Sequence, residues 1–201
     1  MRVVAIEGNI GAGKSTLLPR LAKRIGFTPI QEPVDDPMFL KLLKDFTENP
    51  NDSAKRIKFQ MYITNKRSEL FKTMPDGDYL IERSLYSDVV FCQANMLSME
   101  RPDASYLGYY YDIIDRLKDY PQVDAIVYLR TDPKIVWERM VKRARPEEEG
   151  THLSYIRDIH NFHEAVLPQI CDKYGAQLVT ANWNHFNTEE YIVRELKKII
   201  K

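Results

Sequence analysis

Eight consecutive residues, Gly8-Asn9-Ile10-Gly11-Ala12-Gly13-Lys14-Ser15, fit the pattern GxxxxGK[ST]. They sit between the apolar run Val3 to Ile6 and Thr16-Leu17-Leu18, where a helix opens. Glycines let a backbone curl until its N–H groups point inward, and a helix N-terminus adds partial positive charge. In this pattern the lysine reaches the β- and γ-phosphates of a nucleoside triphosphate and the serine hydroxyl can hold Mg²⁺. Residues Gly8 to Thr16 are therefore expected to bind ATP or another triphosphate, with Lys14 on the phosphates and Ser15 on the metal. A second group of cations, Arg139, Lys142, Arg143 and Arg145, precedes Pro146 and the carboxylates Glu147, Glu148 and Glu149. Arg139 and Arg143 share a helix face at i,i+4, and arginines stabilise charge on a transferring phosphoryl group, so residues 139–150 read as an Arg-rich lid. A solvated, salt-bridged helix end is the alternative.

Such groups need elements that bring them together. Short apolar runs, Val3 to Ile6, Thr28 to Gln31, Tyr79 to Glu82, Ala125 to Leu129 and Gln177 to Thr180, read as buried strands. Stretches with helical spacing separate them: Ser15 to Ile25, Asp36 to Phe46, Ala54 to Thr73, Tyr86 to Met99, Ser105 to Asp119, Pro133 to Arg143, Leu153 to Tyr174 and Glu189 to Ile200. Alternating strands and helices predict an α/β fold, a five-stranded parallel sheet covered by helices on both faces. Ligands bind such sheets at the carboxyl ends of the strands. That edge holds Glu32, before Pro33, and Glu82-Arg83-Ser84; a carboxylate at Glu82 can hold Mg²⁺, while Arg83 orients Glu32 and neutralises the phosphate. A salt-bridged strand end is the plainer reading.

Composition narrows the function. The 201 residues carry 29 Lys+Arg against 29 Asp+Glu, which excludes the general basic surface of a nucleic-acid binder. Cys92 and Cys171 form no CxxC and no metal-ligand spacing, so a reducing, cytoplasmic setting is expected. No apolar run approaches the roughly 20 residues needed to cross a bilayer, and no membrane partner is expected. The length suits one domain, residues 1–201. A GTPase should carry an NKxD-type segment, and Asn65-Lys66 runs instead into Arg67-Ser68. A small kinase needs an acceptor site, a positioning carboxylate and a basic lid, and all three can be proposed.

The ordered motifs Glu7 to Ser15, Glu32-Pro33-Val34, Phe59-Gln60, Glu82-Arg83-Ser84 and Arg143 to Glu148 resemble the deoxynucleoside kinases of the deoxycytidine and deoxyguanosine kinase type, nearly end to end. The resemblance implies a P-loop kinase fold that phosphorylates the 5′-hydroxyl of deoxynucleosides with a triphosphate and Mg²⁺, as a homodimer. It makes Glu32 the general base, Arg83, Lys14 and Arg143 its catalytic partners, and Ser15 and Glu82 the metal ligands. Phe59 and Gln60 become base contacts, a stacking face beside an amide that offers one donor and one acceptor. Arg67 and Asp88 resemble the pair that favours deoxyadenosine, deoxyguanosine or deoxycytidine over thymidine; a structural ion pair is the alternative. Glu148 would accept from the sugar 3′-hydroxyl, and His185 and Phe186 would cradle the donor's adenine, unless that loop is a plain strand-to-helix turn. Departures from the family are Thr47, with Phe46 beside it, in place of a tyrosine, and Cys92 in place of an aromatic, with Phe91 one position earlier. A one-residue shift turns a helical side chain by about 100°, so a differently shaped base pocket is expected. The competing functions are a thymidylate-type nucleoside monophosphate kinase and a non-catalytic nucleotide-binding subunit.

Overall fold

The structure, a computed structural model, describes residues 1–98, 104–186 and 188–200. Five parallel strands, β1 (Arg2–Glu7), β2 (Thr28–Ile30), β3 (Asp78–Glu82), β4 (Ala125–Arg130) and β5 (Gln177–Asn182), lie in the order β2-β3-β1-β4-β5. The chain leaves β1 toward β2 and β3 on one side and later returns to β4 and β5 on the other. The carboxyl end of β1 therefore lies at the switch point, where the crossovers diverge and leave a crevice. Among the described residues, the helices are α1 (Lys14–Ile25), α2 (Pro37–Glu48), α3 (Ser53–Thr73), α4 (Leu85–Leu97), α5 (Ala104–Asp119), α6 (Pro133–Arg143), α7 (Leu153–Tyr174) and α8 (Glu189–Ile199). The end expected for α4, Met99, lies outside the described residues.

The strands read as continuous apolar runs because both faces of the sheet are covered. Successive side chains of β1 part company: Val4 and Ile6 join Leu17, Leu21, Leu80, Val136 and Leu196 on one face, while Val3 and Ala5 join Ile81, Leu85, Tyr106, Ile113 and Leu167 on the other. A smaller cluster, Phe39, Leu42, Phe46 and Phe59, joins α2 to α3 above the sheet's carboxyl edge. Local chemistry sets the helix starts. Asp36, Asp52, Ser84 and Asp132 accept from the backbone N–H groups of Met38, Lys55, Tyr86 and Lys134, with Pro37 and Pro133 at first helical positions. No helix among the described residues is long and apolar enough to cross a membrane.

Leu129, fully buried near the end of β4, supports the first glycine of the phosphate loop: a Cβ added at Gly8 would meet the Leu129 carbonyl at 3.0 Å and its Cβ at 3.3 Å. Leu129→Ala is expected to cost about 2–5 kcal/mol through the cavity it leaves. Urea denaturation checks this by a lower midpoint at unchanged slope; a loss under about 1 kcal/mol contradicts the packing described.

Candidate active site

The phosphate loop joins β1 to α1. Gly8, Gly11 and Gly13 hold φ of 144°, 79° and 97°, a region that favours glycine. At Gly11 a side chain is excluded by contact as well, because its Cβ would lie 2.7 Å from the Val136 carbonyl. Helix α6, which carries Arg139 and Arg143, is thus seated directly on the loop. Asn9 ties the loop down from within, its amide donating to the Ile156 carbonyl at 2.8 Å while its own side-chain oxygen accepts from the Ile10 N–H at 2.8 Å. Ala12 is buried beneath the loop. Lys14 is buried and folds back, its Nζ donating to the carbonyls of Asn9 at 2.9 Å and Gly8 at 3.3 Å. Burial, reinforced by Arg83, lowers its pKa to about 7 against the opposing pull of Glu82 and Glu32.

Across the crevice stands Glu32, just after β2. Its Oε1 accepts from Arg67 and its Oε2 lies 3.5 Å from Arg83 Nε. Burial pushes this carboxyl upward, but Arg67, Arg83 and Lys14 outweigh it and hold the pKa below the usual glutamate value. Arg67 also grips Asp88 through its other amino group. The guanidinium therefore bridges two carboxylates, and burial pushes the Asp88 carboxyl up to about 7. Arg67 Nε and Asp88 Oδ2 remain buried without a partner.

Glu82 ends β3 and Arg83 follows it. Arg83 adopts φ of 66°, a left-handed conformation that is costly for a residue with a Cβ. Its guanidinium lies 4.6 Å from the Phe91 ring centre, a cation–π contact. Glu82 Oε1 accepts from the Ser15 hydroxyl at 2.8 Å, whereas its Oε2 is buried with no partner. Two hard oxygen ligands side by side, one with an unused lone pair, suit Mg²⁺, which takes few protein ligands and completes its shell with phosphates and water.

These groups face one cavity of about 260 Å³, lined also by Ile10, Gly11, Gly13, Thr16, Phe59, Gln60, Arg143, Arg145 and Glu148. Of the polar side chains given a site role from the sequence, on different elements, all but Asn9, Arg139 and His185 thus line one cavity. Gln60 is 3% exposed, and Phe59 packs against Phe39 and Phe46 at ring separations of 5.4 and 5.5 Å. The departures from the family pattern resolve here. Phe91 lines the cavity, while Cys92 is fully buried, its thiol 3.9 Å from the Tyr106 carbonyl. Phe46 and Thr47 both line the wall, and the Thr47 hydroxyl donates back to the Leu43 and Lys44 carbonyls at 3.1 Å each.

The lid cations divide. Arg143 donates to both oxygens of Glu148 at 2.7 and 2.6 Å, and Arg145 lies 3.7 Å from the same carboxylate. Arg139 differs from its expected position on the phosphates. Its guanidinium donates to the carbonyls of Trp183 at 3.3 Å and Asn184 at 2.7 Å and lies 4.2 Å from the Phe186 ring centre. Carbonyls at the end of β5 need donors, and those carbonyls hold Arg139. Phe186 in turn reaches the phosphate loop, where a Cβ at Gly13 would meet its ring at 3.0 Å. His185 is exposed beside it.

Two groups escaped the sequence reading. Glu7, 0% exposed, accepts from the Ser84 N–H, the Ser84 hydroxyl and the Ser87 hydroxyl. Arg56, 3% exposed, donates to Pro50, Asn95 and Ser98 and lies 5.0 Å from the Phe46 ring. Asn95 also accepts from Tyr155, which lines the cavity. An acid ending an apolar strand and an arginine one helical turn before Gln60 were the available signals.

Comparison with known proteins agrees with this geometry. A family model described as deoxynucleoside kinase matches residues 4–201. The deoxyguanosine kinase of Lactobacillus johnsonii is 32% identical over 176 residues, covering 83% of this chain and 74% of that one. The deoxyguanosine kinase of Dictyostelium discoideum is 28% identical over 202 residues, covering 97% and 68%. Among solved structures, the deoxyadenosine kinase from M. mycoides with bound dCTP superposes with a TM-score of 0.79 at 26% identity, covering 98% of this chain and all of that one. With a glycine loop at the sheet's switch point, a carboxylate between two arginines and a family match along nearly its whole length, this chain belongs to the deoxynucleoside kinase family.

Proposed function

We propose that the chain transfers the γ-phosphoryl group of ATP, or another nucleoside triphosphate, to the 5′-hydroxyl of a deoxynucleoside, with Glu32 accepting the hydroxyl proton. The observation that carries this reading is Glu32 itself, a carboxylate kept ionised by Arg67 and Arg83 on the wall of the cavity that Lys14 also lines. A base must be ionised and within reach of the proton it takes. A nucleoside monophosphate acceptor would need a cationic seat for its own phosphate besides Arg83, and Arg67, the other cation on that side, is held by both Glu32 and Asp88.

In this reading residues 1–201 form one catalytic domain with a lid at residues 139–150. The loop Gly8 to Thr16 holds the triphosphate, and Arg143, Arg145 and Arg83 stabilise charge on the transferring group. Mg²⁺, held by Ser15 and Glu82, would neutralise the phosphates. Arg139 contributes indirectly, by fixing Phe186 and His185 beside the donor. Gln60 and the Arg67–Asp88 pair read the base over Phe59 and Phe91. Asp88 Oδ2, left without a protein partner, suits an exocyclic amino group. Cytosine, adenine and guanine carry that group; thymine has no exocyclic amino group and adds a methyl, so deoxycytidine and the purine deoxynucleosides are favoured. Glu148 accepts from the sugar 3′-hydroxyl. The exposed apolar residues Leu97, Leu107 and Tyr111 on α4 and α5 support assembly as a homodimer. The free, buried cysteines suit the cytoplasm.

Glu32→Gln is expected to lower kcat by about 10²- to 10⁴-fold while triphosphate affinity is retained. Steady-state kinetics and equilibrium binding check this; full activity of the variant contradicts it. Replacing Arg67 and Asp88 together with Met and Ala should raise the thymidine/deoxycytidine ratio of kcat/KM by about tenfold or more. Because Arg67 also holds Glu32, total turnover should fall. An unchanged ratio removes the pair from base choice. A pH effect follows from Lys14. In the free enzyme it loses its charge as pH rises through about 7, whereas a bound triphosphate favours the ammonium. Binding therefore takes up a proton, and affinity should fall by up to about tenfold per pH unit between about pH 7.5 and about 9.5. Calorimetry in two buffers of different ionisation enthalpy measures the uptake; pH-independent affinity contradicts it.

A further inference from the structure

Glu7 ends β1 immediately before the phosphate loop and is fully buried, yet it does not line the cavity and would touch neither substrate. Burying an ionised carboxylate is costly unless its lone pairs are used. Its Oε1 accepts from the Ser84 N–H at 2.8 Å and the Ser84 hydroxyl at 2.7 Å, and its Oε2 accepts from the Ser87 hydroxyl. Ser84 caps α4, so the carboxylate also sits at that helix's positive end.

Between these anchors lies Arg83, the residue with φ of 66°. Its N–H donates to the Ile6 carbonyl at 3.1 Å, and the next N–H, that of Ser84, donates to Glu7. Consecutive amides are thus bound by consecutive residues of β1, which fixes the left-handed turn from both sides. The Ser87 hydroxyl gives its proton to Glu7 and presents its lone pair to Arg83 Nη1 at 3.3 Å. Carboxylate, hydroxyl and guanidinium form a relay with one polarity.

We infer that Glu7 is a positioning residue for phosphoryl transfer: through Ser84 and Ser87 it holds Arg83 in the strained conformation that places its guanidinium beside Glu32. This rests on the role given to Arg83 above. A misplacement of about 1 Å can cost about 100-fold in rate, so the effect should appear in turnover. Glu7→Gln keeps the shape but replaces one acceptor with an NH₂ donor. That donor competes with Arg83 for the Ser87 lone pair and reverses the relay.

The test is a double-mutant cycle of Glu7→Gln and Ser87→Ala with Arg83→Lys, read as kcat and as KM for both substrates. Glu7→Gln is expected to lower kcat by about 10- to 100-fold with KM changed less than about threefold. In the Arg83→Lys background the same change should cost less than about threefold. Ser87→Ala should give a smaller loss with the same non-additivity, and it carries the test should Glu7→Gln fail to fold. Multiplicative losses, or a loss confined to KM, overturn the inference. Unchanged kcat in Arg83→Lys overturns the assigned role of Arg83 instead, which separates the two failures.

Discussion

In the proposed reaction Glu32 takes a proton, so it has to remain ionised where water is scarce, and that requirement accounts for the charges gathered around it. Glu32 sits on a cavity wall, where burial pushes its carboxyl upward; Arg67, Arg83 and Lys14 outweigh that push. Each arginine in turn is a buried cation that needs its own partners. Arg67 takes Asp88, and Arg83 takes the Phe91 face and the Ser87 hydroxyl. Glu7 then satisfies Ser84 and Ser87 from beneath. Glu7, Glu32, Arg67, Arg83 and Asp88 therefore form one connected set of charges at the carboxyl ends of β1, β2 and β3 and on α3 and α4, and loss of any member leaves a buried group unpaired, which costs more than the pair contributes.

The sheet gives that set its precision. Parallel strands end at one edge, and the switch point beside β1 supplies room for a ligand exactly where opposite crossovers part. The groups proposed for donor and acceptor meet across this edge: the phosphate loop and the start of α1 bring Lys14 and Ser15, and the end of β3 brings Glu82 and Arg83. Ser15 and Glu82 touch at 2.8 Å although one lies in the first turn of α1 and the other ends β3. Helices covering both faces bury the strands that carry these ends, and the proposed catalysis works by positioning and electrostatics.

Much of this was legible in the sequence because it obeys local rules. The apolar runs of β1, β3 and β4 are continuous since both faces are buried, and helix starts follow Asp36, Ser84 and Asp132 with little ambiguity. Gln60 and Arg67 share a cavity as two turns of one helix require. What escaped is long-range. The i,i+4 spacing of Arg139 and Arg143 was read correctly as one helix, but carbonyls of the β5–α8 connection, distant in sequence, capture Arg139. Glu7 looked like the start of a loop motif; its partners lie 77 and 80 positions away. The Phe91 and Cys92 exchange was visible as a register difference, and only the packing of α4 decides that Phe91 faces the cavity.

The position of a bound acceptor tests the central claim most directly. In a crystal structure of this enzyme with a deoxynucleoside, a Glu32 carboxylate oxygen should lie within about 2.6–3.2 Å of the 5′-oxygen, with Arg67 and Arg83 still flanking it and the base over Gln60. A 5′-oxygen placed against Glu82 or Asp88, with Glu32 beyond hydrogen-bond reach, would contradict the account.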